Sequence, residues 1–318
     1  MNDSGPNKKP RPTIIPRPSH NVSRDNISRA ALKVLYRLHK SGYQAFLVGG
    51  GVRDALLGLH PKDFDIATDA HPEEIRALFS NCRLIGRRFR LAHIRFGREI
   101  IEVATFRAAT DGSEEHGDVE HDREGRILRD NVYGTIDEDV WRRDFTCNAL
   151  YYNNADFSIW DYAGGAKDVE QRRLVLIGDP DRRLREDPVR MLRAVRFAAK
   201  LDFSIDDAVQ ASIEQHHELL VNVPSARLFD EFLKMFQAGH AQPTFELLRR
   251  FDLFRMLFPE TDEYLNNDMK ENVKAEGLPD NKEDLRSLIQ AFMRRLLLLP
   301  HHVMNYFQHP CVQYASGP

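Results

Sequence analysis

The segment from Phe46 to Asp54, FLVGGGVRD, followed nine residues later by Asp63-Phe64-Asp65, constrains this chain more than any other stretch. Gln44 to Val48 is a short apolar run that reads as a buried strand. Gly49-Gly50-Gly51 breaks it, and Val52 to Leu57 reads as a short helix ending at Gly58. Glycines after a strand let backbone N–H groups approach a phosphate, and a helix starting there adds its unpaired N–H groups and positive dipole end. Arg53 contributes a full positive charge. The spacing matches neither GxGxxG nor GK[ST], which excludes the dinucleotide-binding and P-loop fingerprints.

Asp63 and Asp65 give the turn its chemistry. On a strand, residues i and i+2 share a face, so the two carboxylates converge. Like charges that close repel by about 1 kcal/mol even in water, and one should protonate unless a cation intervenes. Mg²⁺, which prefers few carboxylates plus phosphate oxygens and water, resolves the conflict. Asp63 and Asp65 are therefore the expected metal ligands. Two-metal phosphoryl transfer usually wants a third carboxylate. Glu102, on a strand expected at Ile100–Phe106, and Asp144, in Arg142-Arg143-Asp144-Phe145, are both candidates, and the sequence leaves the choice open.

A second constellation is Glu186-Asp187-Pro188-Val189-Arg190. Asp187 is a suitable N-cap and Pro188 a suitable first-turn residue, so helix initiation explains part of it. Arg190 lies three residues on, on the same face, and a carboxylate acceptor beside a guanidinium donor can hydrogen-bond a purine edge. Arg193 and Arg196 continue the stripe toward phosphates. The plain alternative is an intrahelical Asp–Arg pair.

Around these motifs the expected organisation is an α/β head followed by an all-α neck and body. Residues 1–24 hold five of the sixteen prolines and read as a flexible basic arm. The head, 25–165, is expected to be a small mixed sheet with flanking helices. Its helices are Asp25–Lys40, Val52–Leu57, Pro72–Phe79 and one within Ile136–Tyr152. Further strands are expected at Phe64–Thr68, Cys82–Ile85 and Ala92–Phe96, and the acidic stretch around Gly112 and Gly117 as a mobile loop. The neck, 166–240, and body, 241–318, carry helices at Pro188–Leu201, Ile205–His217, Ser225–Ala238 and Pro243–Phe251. Periodicity degrades beyond Pro259.

Net charge is only −3, yet basic residues cluster: six between 8 and 29, seven arginines between 83 and 107, and six between Arg182 and Arg196. Such strips are a footprint for phosphates even when the total is near neutral. Three scattered cysteines with no CxxC pair argue against disulfides and structural zinc and fit a reducing cytosol. No apolar run is long enough for a bilayer, and the opening MNDSGPNKKP has no signal-peptide core, so a cytoplasmic protein is expected.

GGGVRD, DFD, RRDFTCNALYY and EDPVRMLRAVRFAAKL together resemble the class II nucleotidyltransferases of the polymerase β superfamily, which comprise CCA-adding enzymes and bacterial poly(A) polymerases. The resemblance runs from about Ile15 to Phe258. It implies that Asp63 and Asp65 bind Mg²⁺, that Gly49, Gly50 and Arg53 hold a triphosphate, and that Arg143 and Asp144 of RRDF belong to the site. It also implies that Asp187, Arg190 and Arg193 serve nucleotide selection. LIGRRFRLAHI (Leu84–Ile94), Ser225-Ala226-Arg227-Leu228 and the opening IPRPSHNVSRDNIS are similar to the poly(A) branch. The implied activity is addition of AMP from ATP to RNA 3′ ends. The alternatives are CCA addition to tRNA, or an idle RNA-binding protein of the same fold. Partners implied are RNA 3′ ends and ATP, with no DNA and no membrane. The last sixty residues look shortened or divergent against that family and carry no Lys/Arg-rich tail. No His-Asp dyad follows residue 200, which excludes an HD-type phosphohydrolase domain.

Overall fold

The computed structural model describes residues 11–86, 90–108, 119–121, 127–130, 132–263 and 265–266. The chain divides into two compact units, residues 1–178 and 179–318.

The first unit is built on one eight-stranded mixed sheet. Its strands are β1 (Thr13–Ile15), β2 (Ala45–Val48), β3 (Asp65–Thr68), β4 (Cys82–Ile85), β5 (Leu91–Phe96) and β6 (Glu99–Thr105). After a separate hairpin of β7 (Val119–His121) and β8 (Ile127–Asp130), β9 (Leu150–Asn153) and β10 (Ile159–Asp161) complete it. The order is β1-β10-β9-β2-β3-β6-β5-β4. Every pair is antiparallel except β3 with β6, which run parallel. β2 is buried at all four positions, as expected of a central strand with both faces covered.

Helix α1 (Arg29–Lys40) buries Ala30, Ala31, Val34, Leu35 and Leu38. That stripe has the helical period, and the face it buries is the one legible in the sequence. The helix begins later than expected. Ser28, not Asp25, accepts the N-terminal hydrogen bond, from the Ala31 N–H at 3.0 Å. Asp25 lies in a preceding 3-10 turn, Arg24–Asn26, whose own cap is Ser23. α2 (Gly50–Leu56) follows the glycine turn, and α3 (Pro72–Leu78) starts with proline at its first position as predicted. α4 (Ile136–Arg142) is opened by a Thr135/Glu138 capping box, and α5 (Gly165–Glu170) follows β10.

Three expectations need correction. Part of the supposed arm, Thr13–Ile15, pairs with β10 as an edge strand; isoleucines between prolines make a short β edge where ladder N–H groups are needed on one side only. The helix expected within Ile136–Tyr152 ends at Arg142, and Leu150–Asn153 is a strand, because Leu150, Tyr151 and Tyr152 are buried on both sheet faces. The compact unit continues past Gly164-Gly165 to Gly178. The acidic stretch 109–118 lies outside the described residues.

The second unit is helical: α6 (Pro180–Glu186), α7 (Val189–Leu201), α8 (Asp207–His216), α9 (Ser225–Phe236), α10 (Ala241–Arg250) and α11 (Leu253–Leu257). Its core is apolar and partly aromatic. Phe254 is fully buried and meets Phe245 edge-on at 5.0 Å. The four helices expected here are present within two or three residues of their predicted ends. No helix among the described residues is long and apolar enough to cross a membrane.

Candidate active site

The glycine turn meets the acidic segment directly. Gly49 sits at φ 76°, a conformation side chains disfavour. A Cβ on Gly51 would come within 3.3 Å of the Asp63 carbonyl oxygen, so only glycine lets these two segments pack at this distance without displacement.

Asp63 precedes β3 and Asp65 opens it. Both are exposed, while Phe64 between them and Ile66 after them are buried. This alternation is the period-2 pattern expected from the sequence. Asp65 stands opposite Val48 on β2 and opposite Glu102 on β6. Parallel pairing of β3 with β6 therefore places Glu102 beside Asp65. The Asp65 carboxyl is pushed up to about 6 although the residue retains accessible surface. Enclosure of the carboxyl contributes most, and the Glu102 charge comes next. Arg143 opposes both, and Asp63 adds a smaller repulsion. Glu102 in turn lies 3.2 Å from His93 Nε2, its cross-strand neighbour on β5.

Asp144 is placed differently. Its Oδ1 accepts from the Phe145 N–H at 2.8 Å and from Asn148 Nδ2 at 3.3 Å, bracing the turn at Thr146–Asn148. Of the two candidate third carboxylates, Glu102 is the one whose charge acts on Asp65.

The two arginines also have distinct surroundings. Arg53 is 2% exposed; its Nε and Nη2 donate to Asp54 Oδ1 at 2.9 and 2.7 Å, and its Nη1 donates to Asn148 Oδ1. It ties α2 to the Phe145–Asn148 loop, a bracing position that its place in the sequence did not reveal. Arg143 donates through Nε and Nη2 to Asp139 Oδ2, at 3.2 and 2.9 Å, and through Nε to the Tyr151 hydroxyl at 2.7 Å. Its Cζ lies 5.0 Å from the Tyr151 ring centroid, and its Nη1 approaches the Gly49 position to within 3.9 Å of a built Cβ. Burial works against the Arg143 charge, but Tyr151 and Asp139 more than reverse that, so it is held above its ordinary value. Burial likewise pushes the Cys147 thiol up to about 12, leaving it inert. Asp139 and Tyr151 were not singled out from the sequence. The only available signal was Asp139 four residues before Arg143, the spacing of a helical ion pair.

Among the described residues no cluster of three or more His, Cys, Asp or Glu has metal-binding geometry. The donor set still suits Mg²⁺, which needs only one or two carboxylates beside phosphate and water. The Asp65 carboxyl is raised by enclosure first and by the Glu102 and Asp63 charges, and Arg143 offsets only part of this, so the site retains room for a cation.

In the helical unit, Asp187 does not cap α7. Pro188 stands at that N-cap, and Asp187 closes α6 instead, in an extended conformation. Its Oδ2 accepts from Arg227 Nη2 at 3.0 Å, while its buried Oδ1 has no hydrogen-bond partner among the described residues. Arg190 Nη1 donates to the Arg183 carbonyl at 2.6 Å and lies 3.7 Å from Glu186. Arg193 and Arg196, expected to point at phosphates, lie 3.7 and 2.9 Å from buried Glu231 on α9. A buried carboxylate draws guanidinium groups to itself before solvent-borne anions can.

Residues 45–175 match the model of the poly(A) polymerase head domain, and residues 202–265 match the probable RNA- and SrmB-binding site of polymerase A. Poly(A) polymerase I of Salmonella typhi is 53% identical over 283 residues, which are 88% of this chain and 61% of that protein. Residues 45–175 belong to the poly(A) polymerase head-domain family. Within this family, poly(A) polymerase I of Escherichia coli O6:H1 is 55% identical over 257 residues, covering 80% of this chain and 55% of its own length. The chain thus spans about three fifths or less of these relatives. The crystal structure of the Bacillus stearothermophilus CCA-adding enzyme in complex with CTP superposes with a TM-score of 0.62 at 30% identity, covering 73% of this chain and 53% of that one. The family's fold, a mixed sheet with flanking helices followed by helices, is the one expected from the sequence.

Proposed function

We propose that this protein adds AMP from ATP to RNA 3′ ends without a template, as a polynucleotide adenylyltransferase of the cytoplasm. The observation that carries the proposal is the grouping of Asp63, Asp65 and Glu102 beside the glycine turn, with the Asp65 carboxyl pushed up to about 6. Likeness to poly(A) polymerase I at 53–55% identity supports ATP as donor and RNA as acceptor.

In this reading the 3′-hydroxyl gives its proton to water as its oxygen forms a bond to the α-phosphorus, the bond from that phosphorus to the bridging oxygen of the β-phosphate breaks, and pyrophosphate leaves with that oxygen. The Mg²⁺ that Asp63 and Asp65 would hold, with Glu102 beside them, supplies the positive charge that lowers the hydroxyl's pKa and neutralises the triphosphate. The chain's own groups do the positioning. The Gly49-Gly50 backbone offers N–H groups to the phosphates, and Arg143, oriented by Asp139 and Tyr151, brings a fixed charge to the same turn. Arg53 braces the turn from behind. In the helical unit, Asp187 presents a carboxylate held by Arg227, and Arg190 a guanidinium, as the groups suited to a purine edge.

Likeness to CCA-adding enzymes makes CCA addition the second reading. The two differ in product: CCA addition changes base and stops after three nucleotides on a tRNA, whereas poly(A) addition uses ATP alone and has no defined stop. The test supplies purified protein with Mg²⁺, ATP and CTP, and either an unstructured RNA or a tRNA lacking its CCA end. Sequencing gels are expected to show oligo(A) on both substrates. Discrete CCA addition confined to the tRNA would overturn the choice.

A further inference from the structure

Beyond the carboxylate site, the first unit holds a second polar pocket on the other face of the same sheet. Tyr151 and Tyr152 are consecutive on β9, so their side chains leave on opposite faces. Tyr151 shares its face with Val48, which stands opposite Asp65. Tyr152 is paired with Leu47 and Ile159 and points away from that site. It is fully buried, and its hydroxyl has no hydrogen-bond partner among the described residues. Tyr152 is also one of the residues lining a cavity of about 230 Å³, with Arg17, Ser23, Arg24, Asp25 and Phe157. A buried phenol left unbonded in a polar cavity costs free energy and calls for a ligand.

The rest of the lining indicates which ligand. Arg17 donates through Nη1 to the His20 carbonyl at 2.8 Å, and Arg24 donates through Nη1 to the Tyr36 hydroxyl at 2.7 Å. Each guanidinium has five N–H donors, so these single bonds fix the groups while leaving donors over. Arg24 also lies over the Phe157 ring, 4.8 Å from its centroid. Phe157 is held at φ 64°, a conformation unusual for an aromatic residue. Its carbonyl accepts from His20 Nε2 at 2.9 Å, while His20 Nδ1 accepts from the Val22 N–H at 3.2 Å. That pairing fixes a neutral imidazole, so His20 props the pocket without adding charge. Two guanidinium charges against the single Asp25 carboxylate, itself bonded by the Ser23 hydroxyl, leave the lining at +1. This balance suits a singly charged phosphate better than a dianion.

We propose that Arg17, Arg24 and the Tyr152 hydroxyl form a binding subsite for a singly charged phosphate group, on the face of the sheet opposite the carboxylates. The phosphate can come from one diester link of an RNA strand or from free inorganic phosphate. The RNA source rests on the function proposed above; the pocket itself does not.

The test compares the full-length wild type with Arg17→Gln/Arg24→Gln and with Tyr152→Phe, which keeps the ring and removes only the unbonded hydroxyl. Binding of a labelled oligo(A) RNA is followed by anisotropy across a salt series, and inorganic phosphate is titrated calorimetrically. Affinity for an ATP analogue and the melting temperature are the controls. Both variants are expected to bind RNA more weakly, the arginine pair by about tenfold, with a salt slope shallower by about 0.7 for the lost contact. ATP-analogue affinity should not change. Loss of inorganic phosphate binding with RNA affinity intact assigns the subsite to free phosphate. If the arginine variant unfolds, Tyr152→Phe alone decides. Wild-type affinity for both ligands in a folded Tyr152→Phe, or no binding of either by the wild type, overturns the proposal. RNA extension is not among these readouts, so failure of the polymerase reading is seen separately in the gel assay.

Discussion

Replacing Asp65 by asparagine should stabilise the metal-free protein while abolishing its activity. In the fold the Asp65 carboxyl titrates near 6, against 3.8 for an unperturbed group. At about 1.4 kcal/mol per pH unit, that corresponds to about 3 kcal/mol held against the charged form. Asp65 is exposed, however, and solvent screening brings the effect on stability down to about 1 kcal/mol. The direction follows from linkage. Between 3.8 and 6 the folded state binds more protons than the unfolded one, so stability falls as pH rises through that window, and the full penalty persists above it. Asparagine removes the charge from the group facing Glu102 and Asp63. In chelator at about pH 8, Asp65→Asn should melt about 2–4 °C above wild type, the shift expected for 1 kcal/mol in a unit of this size. At about pH 4, where the wild-type carboxyl is already protonated in the fold, the gain should vanish. Millimolar Mg²⁺ should raise the wild-type melting temperature at the higher pH and leave the variant unmoved. A variant that melts at or below wild type in chelator at the higher pH refutes the reasoning, since no penalty on the charged carboxyl was then present to relieve.

Glu102→Gln should lower nucleotide addition more than Asp144→Asn does in the same steady-state assay, because Glu102 acts on Asp65 and Asp144 braces a turn. Equal losses, or none, would mean that the third carboxylate is drawn wrongly. Arg53→Gln removes the three guanidinium hydrogen bonds to Asp54 and Asn148 and should cost about 3 kcal/mol, read as a lower urea midpoint; a wild-type midpoint contradicts the bracing role. Arg227→Ala frees Asp187 and should reduce ATP-over-CTP discrimination, with stability changed by less than about 1 kcal/mol because the pair is partly exposed. Arg190→Ala should also reduce that discrimination, and unchanged selectivity in both variants would leave only structural roles for this cluster.

What the sequence disclosed follows from the range of each interaction. The glycine turn, the Asp63/Asp65 alternation and the α1 stripe are local patterns with a period, and they are where the sequence placed them. Glu102 and Asp144 were indistinguishable as candidates because the choice depends on strand pairing across the sheet. The strand at Leu150 to Tyr152 went unread, since a strand apolar on both faces has no alternation to betray it. The positions of Arg53 and Arg193 were invisible for a related reason. A guanidinium aimed at a phosphate and one aimed at Asn148 or Glu231 are spelled with the same residue.

The parallel pairing of β3 with β6 also bears on the order of events during synthesis. An antiparallel neighbour can arrive by a tight hairpin, but a parallel one must return by a crossover, here through α3, β4 and β5. A nascent chain that has already made its glycine turn and both aspartates still lacks Glu102 beside Asp65. Only when residue 102 has emerged and the crossover has closed do the carboxylates crowd together. The electrostatic tension of the site is therefore introduced late, after the β2–β3 ladder that must withstand it is able to form.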